Sequence, residues 1–297
     1  VQGYGIVIAF YTGSSKVILK SLAQWFVVGC LTASIGVHAN DTNAVMVSVK
    51  PLAMIYMALR PQTTVDILLP AQQDMHEYSL SVTDIKRVKQ ASAFFWLGAS
   101  SEPFLQALEK RFAKEQHWYA LANTTTHAWL SQQHIPQLVQ NMTQELIKLF
   151  PAEKQTIETR AQGFINAINT RFEYWQQRLQ PYAQQPFLLG HDAFLVFSHD
   201  IGLQKAVLYR AGNDHGHVHA GMHELLSIQQ RIKNGEIQCA FEEPDVSFAA
   251  LSKRYSSLHL AQLEPLAAST TLNEKAYIAF IDTSAEAFEQ CLQQGKR

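Results

Sequence analysis

From Ala152 to Leu179 the chain carries a single helical pattern. Ile157, Phe164, Ile168, Phe172, Trp175 and Leu179 recur every three to seven residues along one stripe, which Ala161, Ile165 and Ala167 thicken. These 28 residues would span about 42 Å as a helix. A rod of that length near the middle of a 297-residue chain must serve as a backbone for what flanks it. No Gly/Ser-rich linker separates the halves, so a rigid connector with limited hinge motion is expected.

Both flanks alternate short apolar runs with helical patterns. In the first half, Ala44–Val49, Val65–Leu69, Ala93–Leu97 and, more weakly, Trp118–Leu121 read as strands. Helices are expected from about Leu52, over Val82–Gln90 and Pro103–Lys114, and over Ile135–Phe150, where Leu138, Met142, Leu146 and Leu149 keep helical spacing. In the second half, strands are expected at Phe187–Gly190, Ala206–Tyr209 and Gln238–Phe241. Helices are expected through Phe194 and Phe197, over Met222–Ile232, over Val246–Tyr255 and from about Ser284 to Leu292. Such alternation implies an α/β fold of two lobes, each with a parallel sheet flanked by helices, joined by one long backbone helix. The expected divisions are an N-terminal lobe at 40–150, the connecting helix at 151–183 and a C-terminal lobe at 184–297.

Residues 1–39 read differently. They hold Lys16, Lys20 and no acidic residue, then an apolar run from Leu22 to Val37 and a Val37-His38-Ala39 end. That is the pattern of a cleaved signal peptide. Gln24, Ser34 and two glycines interrupt the run, which makes it a poor membrane span. An alternative processing would acylate Cys30, since Val27-Val28-Gly29-Cys30 resembles a lipobox. The remaining chain carries 25 acidic and 22 basic residues, a balance that argues against a nucleic-acid binder. It keeps Cys239 and Cys291. In an exported protein a pair of cysteines favours a disulfide, with two separate thiols as the alternative.

Histidine stands out, with 12 residues against 24 Lys+Arg. In open α/β sheets ligands bind beyond the carboxyl ends of strands. His76 follows the strand that closes at Pro70, His127 follows the fourth strand, and His191 directly follows Phe187–Gly190. Two come from the first half and one from the second, so their convergence would put a site between the lobes. Neutral imidazole nitrogens suit Zn²⁺, whereas Mn²⁺ recruits more oxygen ligands. Asp192, beside His191, would be a partner of that ligand or a helix N-cap. A second group, His215, His217, His219 and His223, places four histidines in nine residues. His219 and His223 would share one helical face, and the group reads as an accessory zinc-collecting loop or a solvated turn.

A set of short segments then carries a family resemblance. Ser48-Val49-Lys50-Pro51-Leu52, His76-Glu77-Tyr78-Ser79-Leu80, Phe95-Trp96-Leu97-Gly98 and His127-Ala128-Trp129-Leu130-Ser131 are followed by His191-Asp192-Ala193-Phe194, Phe241-Glu242-Glu243-Pro244 and Leu263-Glu264-Pro265-Leu266. In this order and spacing they resemble the periplasmic zinc-binding proteins of bacterial ABC importers, the ZnuA-like branch of the cluster A-I solute-binding family. The resemblance covers nearly all of residues 44–296. It implies zinc held between the lobes by His76, His127 and His191, delivery to a membrane permease with its ATPase, a monomer in the periplasm, and no enzymatic activity. It also implies a Cys239–Cys291 disulfide. The chain departs from the family pattern at Met75, where an acidic residue is common, and at Thr125-Thr126-His127, where Asp-Pro-His is usual. It also lacks a long His/Asp-rich loop before His127. Glu264 stands in place of an aspartate and is expected as a fourth ligand, with water as the alternative. Two other functions compete: a surface adhesin or metal buffer with no permease, and a zinc hydrolase using Glu102 or Glu264 as general base.

Overall fold

The computed structural model describes residues 44–73, 75–114, 116–122, 127–213, 216–219 and 221–295, with the backbone alone at 210–213 and 216–219. The proposed leader, Cys30 included, lies outside the described residues, as does His215.

Four parallel strands form the first sheet: β1 (Val45–Val47), β2 (Asp66–Ile67), β3 (Ala93–Trp96) and β4 (His117–Ala120), in the order β2-β1-β3-β4. Around it lie α1 (Lys50–Leu59), α2 (Val82–Gln90), α3 (Gln106–Phe112) and α4 (Ile135–Leu149). The long helix α5 covers Lys154–Leu179, 26 residues, with 3-10 turns at Pro151–Glu153 and Gln180–Tyr182. The second half contains β5 (Phe187–Leu189), α6 (Leu195–Asp200), β6 (Ala206–Leu208), β7 (Arg210–Asn213), β8 (Gly216–His219) and α7 (Met222–Lys233). It closes with β9 (Cys239–Glu242), α8 (Ala249–Arg254), β10 (His259–Gln262) and α9 (Ala276–Gln294). Its sheet runs β10-β9-β5-β6, again all parallel. Matched strand by strand in chain order, β5, β6, β9 and β10 repeat the connectivity of β1 to β4, so the lobes share one topology that the sequence does not announce.

The central strands β1, β3, β5 and β9 are buried along their whole length, as expected when helices cover both faces of a parallel sheet. β1, β3 and β5 are wholly apolar, while β9 ends on Glu242. Each sheet has a smaller apolar cluster of its own, around Phe94 and Trp96 in the first and around Leu188 and Ala240 in the second, but the largest core is common to both. One apolar cluster runs from β1 and β3 through α1 and α4, along Ile157, Phe164, Ile168, Phe172, Trp175 and Leu179 of α5, and on to β5, β9 and α9. The stripe on α5 is therefore the seam on which both lobes are built. Asp282 on α9 fastens the seam's rim, accepting from Trp175 Nε1 at 2.9 Å and pairing with Arg171. A disulfide, Cys239–Cys291, joins β9 to α9.

Four sequence expectations are corrected. The strand β10 was not foreseen, because His259-Leu260-Ala261-Gln262 is short and mixed in polarity. The last helix starts eight residues before Ser284, at Ala276. The helix expected over Val246–Tyr255 is confined to α8, since Val246 instead bridges to Glu243. The histidine-rich segment is a β-hairpin: β7 and β8 pair antiparallel, Arg210 opposite His219 and Gly212 opposite His217. His219 therefore belongs to a strand while His223 lies in α7, so the two do not share a helical face.

Candidate metal centre

Three histidines are carried to one place by the carboxyl ends of three strands. His76 lies in the turn region after β2, His127 opens the 3-10 turn Ala128–Leu130 after β4, and His191 follows Gly190 at the end of β5. One ring nitrogen from each lies within 4.8 Å of the others. His76 Nε2 and His127 Nε2 are 3.5 Å apart. Tetrahedral zinc with bonds of about 2.0–2.1 Å would need ligand nitrogens roughly 3.3–3.4 Å apart; the His76–His127 pair already stands near that spacing, and the third nitrogen lies within reach of it. His127 and His191 are buried whereas His76 is exposed, so the trio meets solvent on its His76 side.

Each imidazole has its own support. A Cβ at Gly190 would stand about 3.0 Å from the Val246 side chain, tighter than ordinary contact, so the turn into His191 packs closely on Val246. His191 Nδ1 lies 3.0 Å from Glu243 Oε2, at the end of β9. Burial works to lower the His191 pKa, but the Glu243 carboxylate together with the charges of Asp245 and Asp192 outweighs it and the net shift is upward. Glu243 is itself buried, and burial raises its pKa against the opposing pull of His191. The charge on either group therefore depends on the other. Asp192 is neither the close partner of His191 nor a cap: α6 starts at Leu195 and its N-cap residue, Phe194, makes no side-chain cap bond.

The His127 ring meets the Trp129 indole edge-on, with centroids 5.4 Å apart. Trp129 is held from the other lobe at both ends: Nε1 donates to Pro265 O at 2.7 Å, and its carbonyl accepts from Tyr277 Oη at 2.5 Å. The His76 segment is tied back through Tyr78, whose hydroxyl donates to Asp84 Oδ2 at 2.8 Å. Asp84 also completes a capping box with Ser81 at the start of α2. Burial would raise the Asp84 pKa, but the bonds from Ser81 and Tyr78 and the charge of Arg87 hold it below the ordinary carboxylate range.

Carboxylates proposed from sequence sit elsewhere. Glu264 is not brought to the imidazoles; its Oε2 accepts from Ser269 N and Ser269 Oγ, both at 2.7 Å. Glu102 is fully buried, its Oε2 accepts from Leu97 N at 2.6 Å, and burial pushes its pKa up to about 7. Neither is positioned as a base beside the trio. Sequence reading missed Glu243 as the partner of His191 and Asp245 as a lining residue of the pocket that also contains His76, His127, His191, Pro265 and Leu266. The only available signal was the acidic run after a strand end. In the second histidine group, His217 and His219 belong to β8, and His223 is exposed on α7.

Among the described residues no helix is long and apolar enough to cross a membrane. Residues 45–291 match the family described as the periplasmic component A of a zinc-uptake complex, ZnuA. The high-affinity zinc uptake system protein ZnuA of Haemophilus ducreyi is 24% identical over 305 residues, covering 88% of this chain and 97% of that protein. A crystal structure of ZnuA superposes with a TM-score of 0.71 at 20% identity, covering 85% of this chain and 100% of that one. The laminin-binding protein Lmb of Streptococcus agalactiae, described as bifunctional with adhesin and metal-transporting activity, gives a TM-score of 0.71 at 20% identity. It covers 84% of this chain and 99% of that one.

Proposed function

The chain belongs to the ZnuA family, the periplasmic component A of zinc-uptake complexes, and from that membership we propose that it captures Zn²⁺ and hands it to a membrane ABC permease. His76, His127 and His191 bind the ion and a water completes the tetrahedron. The observation that carries this reading is the set of three imidazole nitrogens within 4.8 Å of one another, drawn from both lobes. With Nδ1 facing Glu243, His191 presents Nε2 to the ion, and the carboxylate fixes that tautomer and makes the ring a better donor. The protein acts as a monomer in the periplasm after residues 1–39 are removed, and its role is transport of the ion rather than catalysis. His215, His217, His219 and His223 serve as an accessory zinc-collecting group of lower affinity.

Competitive zinc titration of the full chain tests this. One tight site should survive deletion of 214–219 and be lost in His127→Ala. Tight binding retained in His127→Ala would overturn it. A second reading, a metal-binding adhesin without a permease, draws on the shared fold with Lmb. It would be favoured if a strain lacking this protein grew normally under zinc limitation.

A further inference from the structure

The segment Leu263–Ser269 after β10 has features that the binding of zinc alone does not use. Pro265 and Leu266 form part of the wall around the three histidines. Two hydrogen bonds cross from the first lobe to this segment: Trp129 Nε1 to Pro265 O at 2.7 Å, and Lys50 Nζ to Ala268 O at 2.9 Å. Ala267, fully buried, sits at φ 53°. An alanine holds that left-handed conformation only where its surroundings impose it. The imposing contacts are internal to the loop. Glu264 Oε2 accepts twice from Ser269, and Glu264 O accepts from Ala267 N at 2.9 Å. Lys50 also senses the Glu264 carboxylate, whose charge opposes the lowering of the lysine pKa by burial.

We propose that Glu264 is a positioning residue that braces residues 264–269 into a strap, which Lys50 and Trp129 latch across the lobes to slow the release of zinc. The proposal rests on the three-histidine reading of the site but assigns Glu264 no bond to the metal. A brace and a ligand respond differently to substitution. Glutamine at 264 keeps an oxygen that accepts both Ser269 bonds, whereas alanine removes the acceptor. A metal-bound carboxylate would be compromised by either change.

The test uses the full chain loaded with one equivalent of zinc and mixed with excess chromogenic chelator, giving the dissociation rate. The electronic spectrum of the Co²⁺-substituted protein is recorded in parallel. Glu264→Ala and Lys50→Met should each speed release about five- to tenfold, the effect of losing one or two hydrogen bonds. The double variant should be little faster than either single one, because both open the same latch. Glu264→Gln should release zinc at close to the unsubstituted rate, and all three single variants should keep the Co²⁺ spectrum unchanged. A Co²⁺ spectrum altered in both Glu264→Gln and Glu264→Ala would overturn the proposal in favour of a ligand. Unchanged release from Lys50→Met and Glu264→Ala would overturn it in favour of an inert loop. His127→Ala serves as the separate control: a spectrum unaffected by that change would refute the histidine site itself, whatever the position 264 variants do.

Discussion

At the scale of single residues the site is governed by the buried pair His191 and Glu243. The carboxylate lies 3.0 Å from Nδ1 and raises the ring's affinity for a proton; in the proposed site it would also make the ring a better metal donor. Replacing Glu243 with glutamine keeps a polar neighbour but removes the charge. Zinc affinity should then fall by about 10–100-fold, as when the hydrogen-bonded partner of a metal-binding histidine is lost; competitive titration with a fluorescent chelator measures it. The same pair fixes the sign of the pH response. Zinc needs the neutral imidazole, and the His191 pKa lies above the ordinary value near 6.5, so protons begin to compete at a higher pH than for a free histidine. With three imidazoles that must all be neutral to bind, the affinity at pH 5 should be at least about a hundredfold below that at pH 7.5; titrations at the two pH values check it. Sequence position alone led to His76, His127 and His191, because strand ends are where α/β sheets collect ligands. It did not reveal Glu243, whose role comes from β9 lying beside β5 in the sheet. Nor did it reveal that Glu264 bends back to Ser269.

At the scale of elements, the fold was readable wherever a segment was long or wholly apolar. The stripe of α5 and the runs Ala93–Trp96 and Phe187–Leu189 are of that kind. β10 escaped because its four residues are half-exposed or exposed, and the β7–β8 hairpin escaped because its histidines mask any alternation of apolar residues. The start of α9 at Ala276 was missed although Tyr277, Phe280 and Ile281 are buried at helical spacing. The cysteine pair of an exported chain favoured a disulfide and the family resemblance implied it, and the bridge does join β9 to α9. It closes a loop of 52 residues by sequence separation, which predicts a stabilisation of about 2–4 kcal/mol. Cys239→Ser with Cys291→Ser should lower the melting temperature by roughly 5–15 °C, read by calorimetry, while zinc stoichiometry stays at one tight site. Loss of tight binding at a temperature where the variant is folded would mean that the bridge also shapes the strand end carrying Glu243.

At the scale of the whole molecule, two lobes of identical connectivity share one core along α5. That continuity argues against lobes that swing freely and for a site that opens by local movement. It also makes unfolding cooperative. Phe172→Ala, at a fully buried position of the seam, should cost about 3–5 kcal/mol and shift a single transition, followed by both near-UV and far-UV circular dichroism. Two separated transitions would mean that the lobes hold together independently. The family membership accounts for why such a frame exists: a carrier must hold its ion firmly between rigid halves and still release it to a partner. The coordination of that ion is the centre of the account. X-ray absorption at the zinc edge, recorded on the full chain with one equivalent of zinc, should show three imidazole nitrogens and one further light atom at about 2.0–2.1 Å. In His127→Ala the same measurement should lose one imidazole. A spectrum of the unsubstituted protein with fewer than three imidazoles, or one that His127→Ala leaves unchanged, would contradict it.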